Sequence, residues 1–120
     1  MKTMLFVDDR SKRMHAALKK YVGVFALTVC SNVPEALRYL SQQEWDVVSL
    51  DFDLNGHDFQ DPDDPTCGME IVRYIGKTGW PFKKYPHIVL HSSNAFGRKL
   101  MAYNLEALGF VVEEQRFEYD

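Results

Sequence analysis

The sequence predicts an α/β protein built on a doubly wound, five-stranded parallel sheet. Three observations carry that prediction. Five short apolar runs alternate with four segments of helical period, and such alternation argues for a parallel sheet with helices on both faces. The third run, Val47-Val48-Ser49-Leu50, is almost unbroken and rich in β-branched side chains, as expected of a strand covered on both faces. That run ends in Asp51 and, two residues on, Asp53. In open α/β sheets ligands sit outside the carboxyl ends of the strands, so acidic residues there are candidate site residues.

The totals bound the remaining possibilities. A chain of 120 residues with 46% hydrophobic side chains makes one domain, residues 1–120, with a core that needs no disulfide. The net charge of −3 offers no basic field for nucleic acid and argues against a DNA-binding module. Cys30 and Cys67 lack metal-ligand spacing and read as reduced thiols. The apolar stretch Met4-Leu5-Phe6-Val7 is too short for a signal peptide or a membrane span, so a cytoplasmic protein without a membrane partner is expected.

Met4–Val7 is the first expected strand, followed at once by Asp8-Asp9-Arg10. Ser11 is expected to cap a helix whose apolar face is Met14, Ala17, Leu18 and Tyr21, with Lys12, Arg13, Lys19 and Lys20 mostly on the other side. Val24–Val29 is the second strand. Asn32 with Glu35 forms a capping-box pattern, with Pro34 in the first turn and Val33, Ala36, Leu37 and Leu40 as the buried stripe. After Leu54 the period disappears into an acidic, proline-containing loop, residues 55–66, of the length that is often functional. Gly68 opens a third helix with Ile71, Val72 and Ile75 apolar, and Gly76 and Gly79 end it. Ile88-Val89-Leu90 is the fourth strand, ending at His91, and Ser92-Ser93-Asn94 offers caps for a fourth helix carrying Met101, Leu105 and Leu108. Phe110–Val112 is the fifth strand.

Five strands in this arrangement favour the flavodoxin-like order 2-1-3-4-5, whose switch point lies between the first and third strands. That order sets Asp8 and Asp9 beside Asp51, with His91 on the same edge. Several carboxylates crowded together repel one another, and a hard divalent cation relieves the conflict. The expected cofactor is therefore Mg²⁺, or Mn²⁺ in its place. His91 is a candidate acid or base. Ser92, Ser93 and Asn94 at a helix start, with Arg98 one turn on, are candidate phosphate contacts. His57 in the acidic loop is a weaker candidate for closing over the site.

These residues resemble a response-regulator receiver domain along the whole chain. Asp8-Asp9 is similar to its acidic metal-binding pair, Asp46–Asp51 to the strand ending in its phospho-accepting aspartate, and Gly68 to the glycine beyond that strand. Two departures stand out. His91 takes the place of the receiver's Ser or Thr, and Gln115-Arg116-Phe117 stands where a receiver has Lys-Pro, so a fifth helix is expected to be missing or truncated. The departures resemble the cyclic-phosphate-processing receiver-like domains. Phe6-Val7-Asp8-Asp9-Arg10, Ser49-Leu50-Asp51-Phe52-Asp53-Leu54 and the stretch from His91 to Met101 carry that likeness.

That resemblance implies a metal-dependent phosphohydrolase acting on the cyclic phosphate of a nucleotide or an RNA end. It implies Asp8, Asp9 and Asp51 as metal ligands and Asp53 as a further ligand or a base. It also implies His91 acting on the leaving hydroxyl, and Ser92, Asn94 and Arg98 on phosphate oxygens. Asp51 could instead be a nucleophile forming an aspartyl phosphate. The alternative is a degenerate receiver that docks a protein partner without catalysis.

Overall fold

The computed structural model describes residues 1–56 and 58–115. The chain alternates β1 (Thr3–Val7), α1 (Ser11–Tyr21), β2 (Ala26–Cys30), α2 (Val33–Gln42), β3 (Val47–Leu50), α3 (Met69–Thr78), β4 (His87–Leu90), α4 (Ala95–Ala107) and β5 (Val112–Glu114). The strands form one parallel sheet in the order β2-β1-β3-β4-β5, so the flavodoxin-like expectation holds. The expected loss of the fifth helix, and Arg116, fall on residues 116–120, outside those described.

Strand parity divides the molecule. Leu5, Val7, Val48, Leu50, Ile88 and Leu90 point to one face, where they join Ala36 and Leu40 of α2, Ile71, Val72 and Ile75 of α3 and Met101 and Leu105 of α4 in the main core. On the other face Phe6 packs with Ala17 of α1, with Leu27 and Val29 at its margin. Residues two apart along a strand share a face. Phe6 and Asp8 therefore lie on the α1 side, as do Ser49 and Asp51.

The Asn32 cap of α2 is present, the Glu35 N–H donating to Asn32 Oδ1 at 2.9 Å, while the Glu35 carboxylate turns back to the Asn32 side-chain amide at 2.8 Å and the Ser31 N–H at 3.4 Å rather than to the cap's own N–H. Four local expectations are corrected. Ser11 is the first residue of α1, not its cap. Arg10 holds the N-cap position without a side-chain bond, and its N–H donates to Asp8 Oδ1 at 2.9 Å. β2 starts two residues late because the N–H groups of Val24 and Phe25 both turn back to the Tyr21 carbonyl. α3 runs through Gly76 and stops only at Gly79, whose φ is +80°. β5 begins after Phe110, because the N–H of Phe110 bonds the Leu105 carbonyl and that of Gly109 bonds Glu106, the double bond that closes a helix around a left-handed glycine. Phe110 is then buried against Trp80 and Tyr85 rather than paired in the sheet.

Phe52, directly after Asp51, is fully buried and serves as the plug around which the site loops are arranged. A Cβ on Gly97 would lie 2.3 Å from the Phe52 ring, and a Cβ on Gly68 would lie 2.1 Å from the Asp51 carbonyl oxygen. Both glycines are therefore demanded by close approach. Gly76 has no such neighbour, since its Cβ would meet only Leu108 at 3.8 Å. Gly97→Ala is expected to destabilise the fold by about 1–3 kcal/mol despite the better helix former. Gly76→Ala is expected to stabilise it by about 0.5–1 kcal/mol. Urea denaturation of the two variants tests the contrast, and equal effects would contradict it.

Candidate functional site

The site is made by extending the sheet ladder one residue past three strands. The Asp8 N–H bonds Cys30 O, the Asp51 N–H bonds Val7 O and the His91 N–H bonds Leu50 O, each at 3.1 Å. Asp8, Asp51 and His91 therefore stand in a row across the carboxyl ends of β1, β3 and β4. Asp9 follows Asp8 and accepts a bond from the Gly56 N–H. One carboxylate oxygen from each of Asp8, Asp9 and Asp51 lies within 4.8 Å of the others. Asp8 and Asp51 are wholly buried, while Asp9 is partly exposed.

Neither oxygen of Asp51 has a hydrogen-bond partner among the described residues. Nη1 of Arg13 lies 3.3 Å from Asp51 Oδ2, an ion-pair distance without hydrogen-bond geometry. Burial, and then the neighbouring Asp8 charge, push the Asp51 carboxyl up to about 8, against the pull of Arg13 and of the nearby Ser92 hydroxyl. Asp8 moves the other way. Burial raises it, but the hydrogen bond from His91, the Arg10 N–H and the Arg13 charge together hold it below the usual range.

His91 lies underneath this row. Its ring is 1% exposed and stacks on Phe6, with centroids 4.4 Å apart and planes within 6°. Nε2 is 2.9 Å from Asp8 Oδ2, and Nδ1 is 2.7 Å from Ser49 Oγ. Burial lowers the imidazole pKa, with Arg13 adding to the effect and Asp8 opposing it. The neutral ring then carries its proton on Nε2, because a carboxylate only accepts, and Nδ1 accepts from the Ser49 hydroxyl. The structure thus places His91 against Asp8 and Ser49.

The phosphate candidates are arranged around the β4–α4 turn. The Ser92 hydroxyl is buried and accepts the Asn94 N–H at 3.1 Å. Asn94 caps α4, its Oδ1 accepting the Gly97 N–H at 3.0 Å. Arg98 donates through Nη1 to the Ser92 carbonyl, and its Nε lies 3.5 Å from Glu114 on β5. Asp53 is buried and accepts the Gln60 N–H at 2.8 Å, while the Gln60 side chain receives the Leu54 N–H at 2.6 Å. Asp53 is thereby engaged with the loop and is not one of the three clustered carboxylates. His57 lies outside the described residues.

Sequence reasoning missed three participants. Arg13, assigned to the exposed side of α1, is only 6% exposed. Its Nη1 is 3.4 Å from Asp8 Oδ2, and its Nη2 donates to Ser93 Oγ at 3.1 Å. Its place was signalled by the spacing of four to Ala17, which sets both on one helix face, towards the sheet. Leu18, expected inside, is 42% exposed. Ser49 was signalled as the one hydroxyl in an apolar strand, two residues before Asp51. Gln60 carried no pattern that singles out a loop residue.

The chain matches the family described as Cyclic-phosphate processing Receiver domain over residues 3–107. No curated protein matches it. Among solved structures it is similar to response regulator TrrA from Thermotoga maritima in complex with Mg²⁺-BeF, at 22% identity and a TM-score of 0.65, covering 98% of this chain and 87% of that one. It is also similar to a CheY-like receiver domain from Methylobacillus flagellatus, at 20% identity and a TM-score of 0.68, covering 100% and 89%. Chemotaxis protein CheY4 from Vibrio cholerae matches at 16% identity and a TM-score of 0.67, again covering 100% and 89%.

The raised Asp51 pKa has a consequence for stability. The folded chain keeps a proton there up to about pH 8, which the unfolded chain releases near its ordinary value of about 3.9. Stability from this group therefore falls as pH rises through that window. Asp51→Asn removes the penalty. Without added metal its melting temperature is expected to approach that of the wild type near pH 4 and to exceed it by about 5 °C or more at pH 8. A difference that stays flat across this range would contradict the assignment.

Proposed function

Because the chain belongs to the cyclic-phosphate processing receiver domains, we propose that it is a metal-dependent phosphoesterase that opens a cyclic phosphate on a nucleotide or an RNA end. The observation that carries this reading is the convergence of Asp8, Asp9 and Asp51 around two buried carboxylate oxygens without hydrogen-bond donors. Hard oxygen donors in that number suit Mg²⁺ or Mn²⁺, and the Mg²⁺-BeF complex of the similar TrrA supports the same choice. A bound cation supplies Lewis acidity to a phosphoryl oxygen and lowers the pKa of bound water.

The chain's own residues divide the remaining work. Asp8, Asp9 and Asp51 hold the cation. His91, bonded through Nε2 to Asp8, orients that carboxylate and fixes its charged form, and Ser49 sets the ring's tautomer. His91 is thus a positioning residue, since contact with a leaving hydroxyl would require Nε2 to leave Asp8. The turn formed by Ser92, Ser93 and Asn94 faces the phosphate, with Arg98 anchoring it through the Ser92 carbonyl. Asp53 holds the loop after β3 in place through Gln60.

Mg²⁺ titration followed by NMR tests the cation site. Saturable binding is expected in the wild type, weakened at least about tenfold in Asp51→Asn. The loaded protein is then expected to convert a 2′,3′- or 3′,5′-cyclic phosphate to a phosphomonoester. Binding without turnover of either class would leave a docking module.

His91→Ala separates positioning from direct proton transfer. Loss of a group that orients a ligand is expected to lower Mg²⁺ affinity about 10–100-fold. A histidine acting only on the leaving hydroxyl would leave metal affinity unchanged while abolishing turnover.

A further inference from the structure

Arg13 is a buried guanidinium that reaches across the mouth of the site. It starts on α1, passes Asp8 at the end of β1 and Asp51 at the end of β3, and ends on Ser93 in the β4–α4 turn. Its contacts differ in kind. Nη1 is set between two carboxylates, at 3.4 Å from Asp8 and 3.3 Å from Asp51, whereas Nη2 donates to the hydroxyl of Ser93, an exposed residue.

A buried charge is retained when something compensates it. Here the guanidinium compensates the charge of Asp8 and lies against Asp51, whose carboxyl keeps its proton until a cation or higher pH removes it. A divalent cation binding Asp8 and Asp51 would compete for the same oxygens and more than replace that compensation. Positive charge would then be in excess at the end of Arg13 that touches Ser93. A planar, permanently charged fork is suited to phosphate as well as carboxylate.

We propose that Arg13 is the phosphate-binding cation of this site and couples its two ligands: a divalent cation displaces Arg13 from Asp8 and Asp51, and the guanidinium then takes a phosphate beside Ser93. The inference rests on the metal-dependent reading above and adds an order to it. Without the cation Arg13 is held by the carboxylates and phosphate binds poorly; with it, each ligand raises the affinity of the other, as linkage requires.

Calorimetric titration of the full chain with Mg²⁺ and with inorganic phosphate tests this, separately and together. In the wild type, phosphate is expected to bind at least about tenfold more tightly with Mg²⁺ than without. In Arg13→Met, Mg²⁺ alone is expected to bind more tightly than in the wild type, because its competitor is gone. Phosphate affinity in saturating Mg²⁺ is expected to fall about tenfold or more, and the coupling to vanish. Opposite changes in the two affinities are what a merely structural arginine does not produce. If Arg13→Met fails to fold, Ser93→Ala, an exposed change, carries the test: weaker phosphate binding with Mg²⁺ affinity unchanged. Parallel loss of both affinities, or unchanged phosphate binding in either variant, overturns the proposal. Mg²⁺ binding and turnover that persist with unaltered coupling in Arg13→Met remove the role of Arg13 alone. Failure of Mg²⁺ to bind both wild type and Arg13→Met removes the metal-dependent reading with it.

Discussion

Two carboxylates, Asp8 and Asp51, are buried side by side where the sheet reverses its order. With oxygens no more than 4.8 Å apart, two full charges would repel by about 3 kcal/mol or more even at an effective dielectric of 20. The surroundings respond to that repulsion. Asp8 keeps its charge because His91, the Arg10 N–H and Arg13 all face it, and Asp51 gives up its charge over most of the neutral range. The two aspartates end in different protonation states because their hydrogen-bond environments differ, not because their burial does.

The packing around Phe52 keeps that arrangement in place. The ring fills the space between the end of β3 and the first turn of α4, so Gly97 has to lack a side chain. The chain returning from the acidic loop passes over the Asp51 backbone, with the Gly68 N–H bonded to the Phe52 carbonyl at 2.7 Å. The loop itself is held by Gln60, which bonds Leu54, Asp53 and Thr66, and by Arg73, whose guanidinium reaches the Pro62 and Asp64 carbonyls. Asp53 and Asn94 belong to this scaffolding in the structure: each accepts a backbone N–H that fixes the course of a segment beside the site. A polar residue near a strand end can thus hold the site together without facing it.

The relation of α1 to the sheet connects structure and function. Among the described residues α1 is the helix that packs on the Phe6 face, and that is the face on which Asp8, Ser49 and Asp51 project. Turning α1 so that Ala17 meets Phe6 brings Arg13, one turn earlier, over the carboxylates. The same rotation leaves Leu18 substantially exposed. The apolar stripe found Ala17 and Tyr21 on the inward face but misplaced its edge, because Arg13 rather than Leu18 is buried there, against the carboxylates.

Much of the protein was legible from residue order alone. Strand–helix alternation and the near-continuous apolarity of β3 specified a parallel sheet, because only strands covered on both faces read that way. The row of Asp8, Asp51 and His91 followed from strand order, since the ends of neighbouring parallel strands must lie together. The α2 cap was visible because Asn32 and Glu35 interact locally. What lies across the sequence was not visible. The Arg13–Ser93 bond joins residues 80 apart, and the Ser49–His91 and His91–Asp8 bonds join residues 42 and 83 apart. Whether His91 faced a ligand or a carboxylate, and whether Arg13 faced water or the site, depended on side-chain directions set only when α1 docked and the strands came into register. Residue order by itself determined which groups share the strand edge, because topology follows from local pattern; the tertiary structure decided which of them touch, because burial and charge compensation act through space.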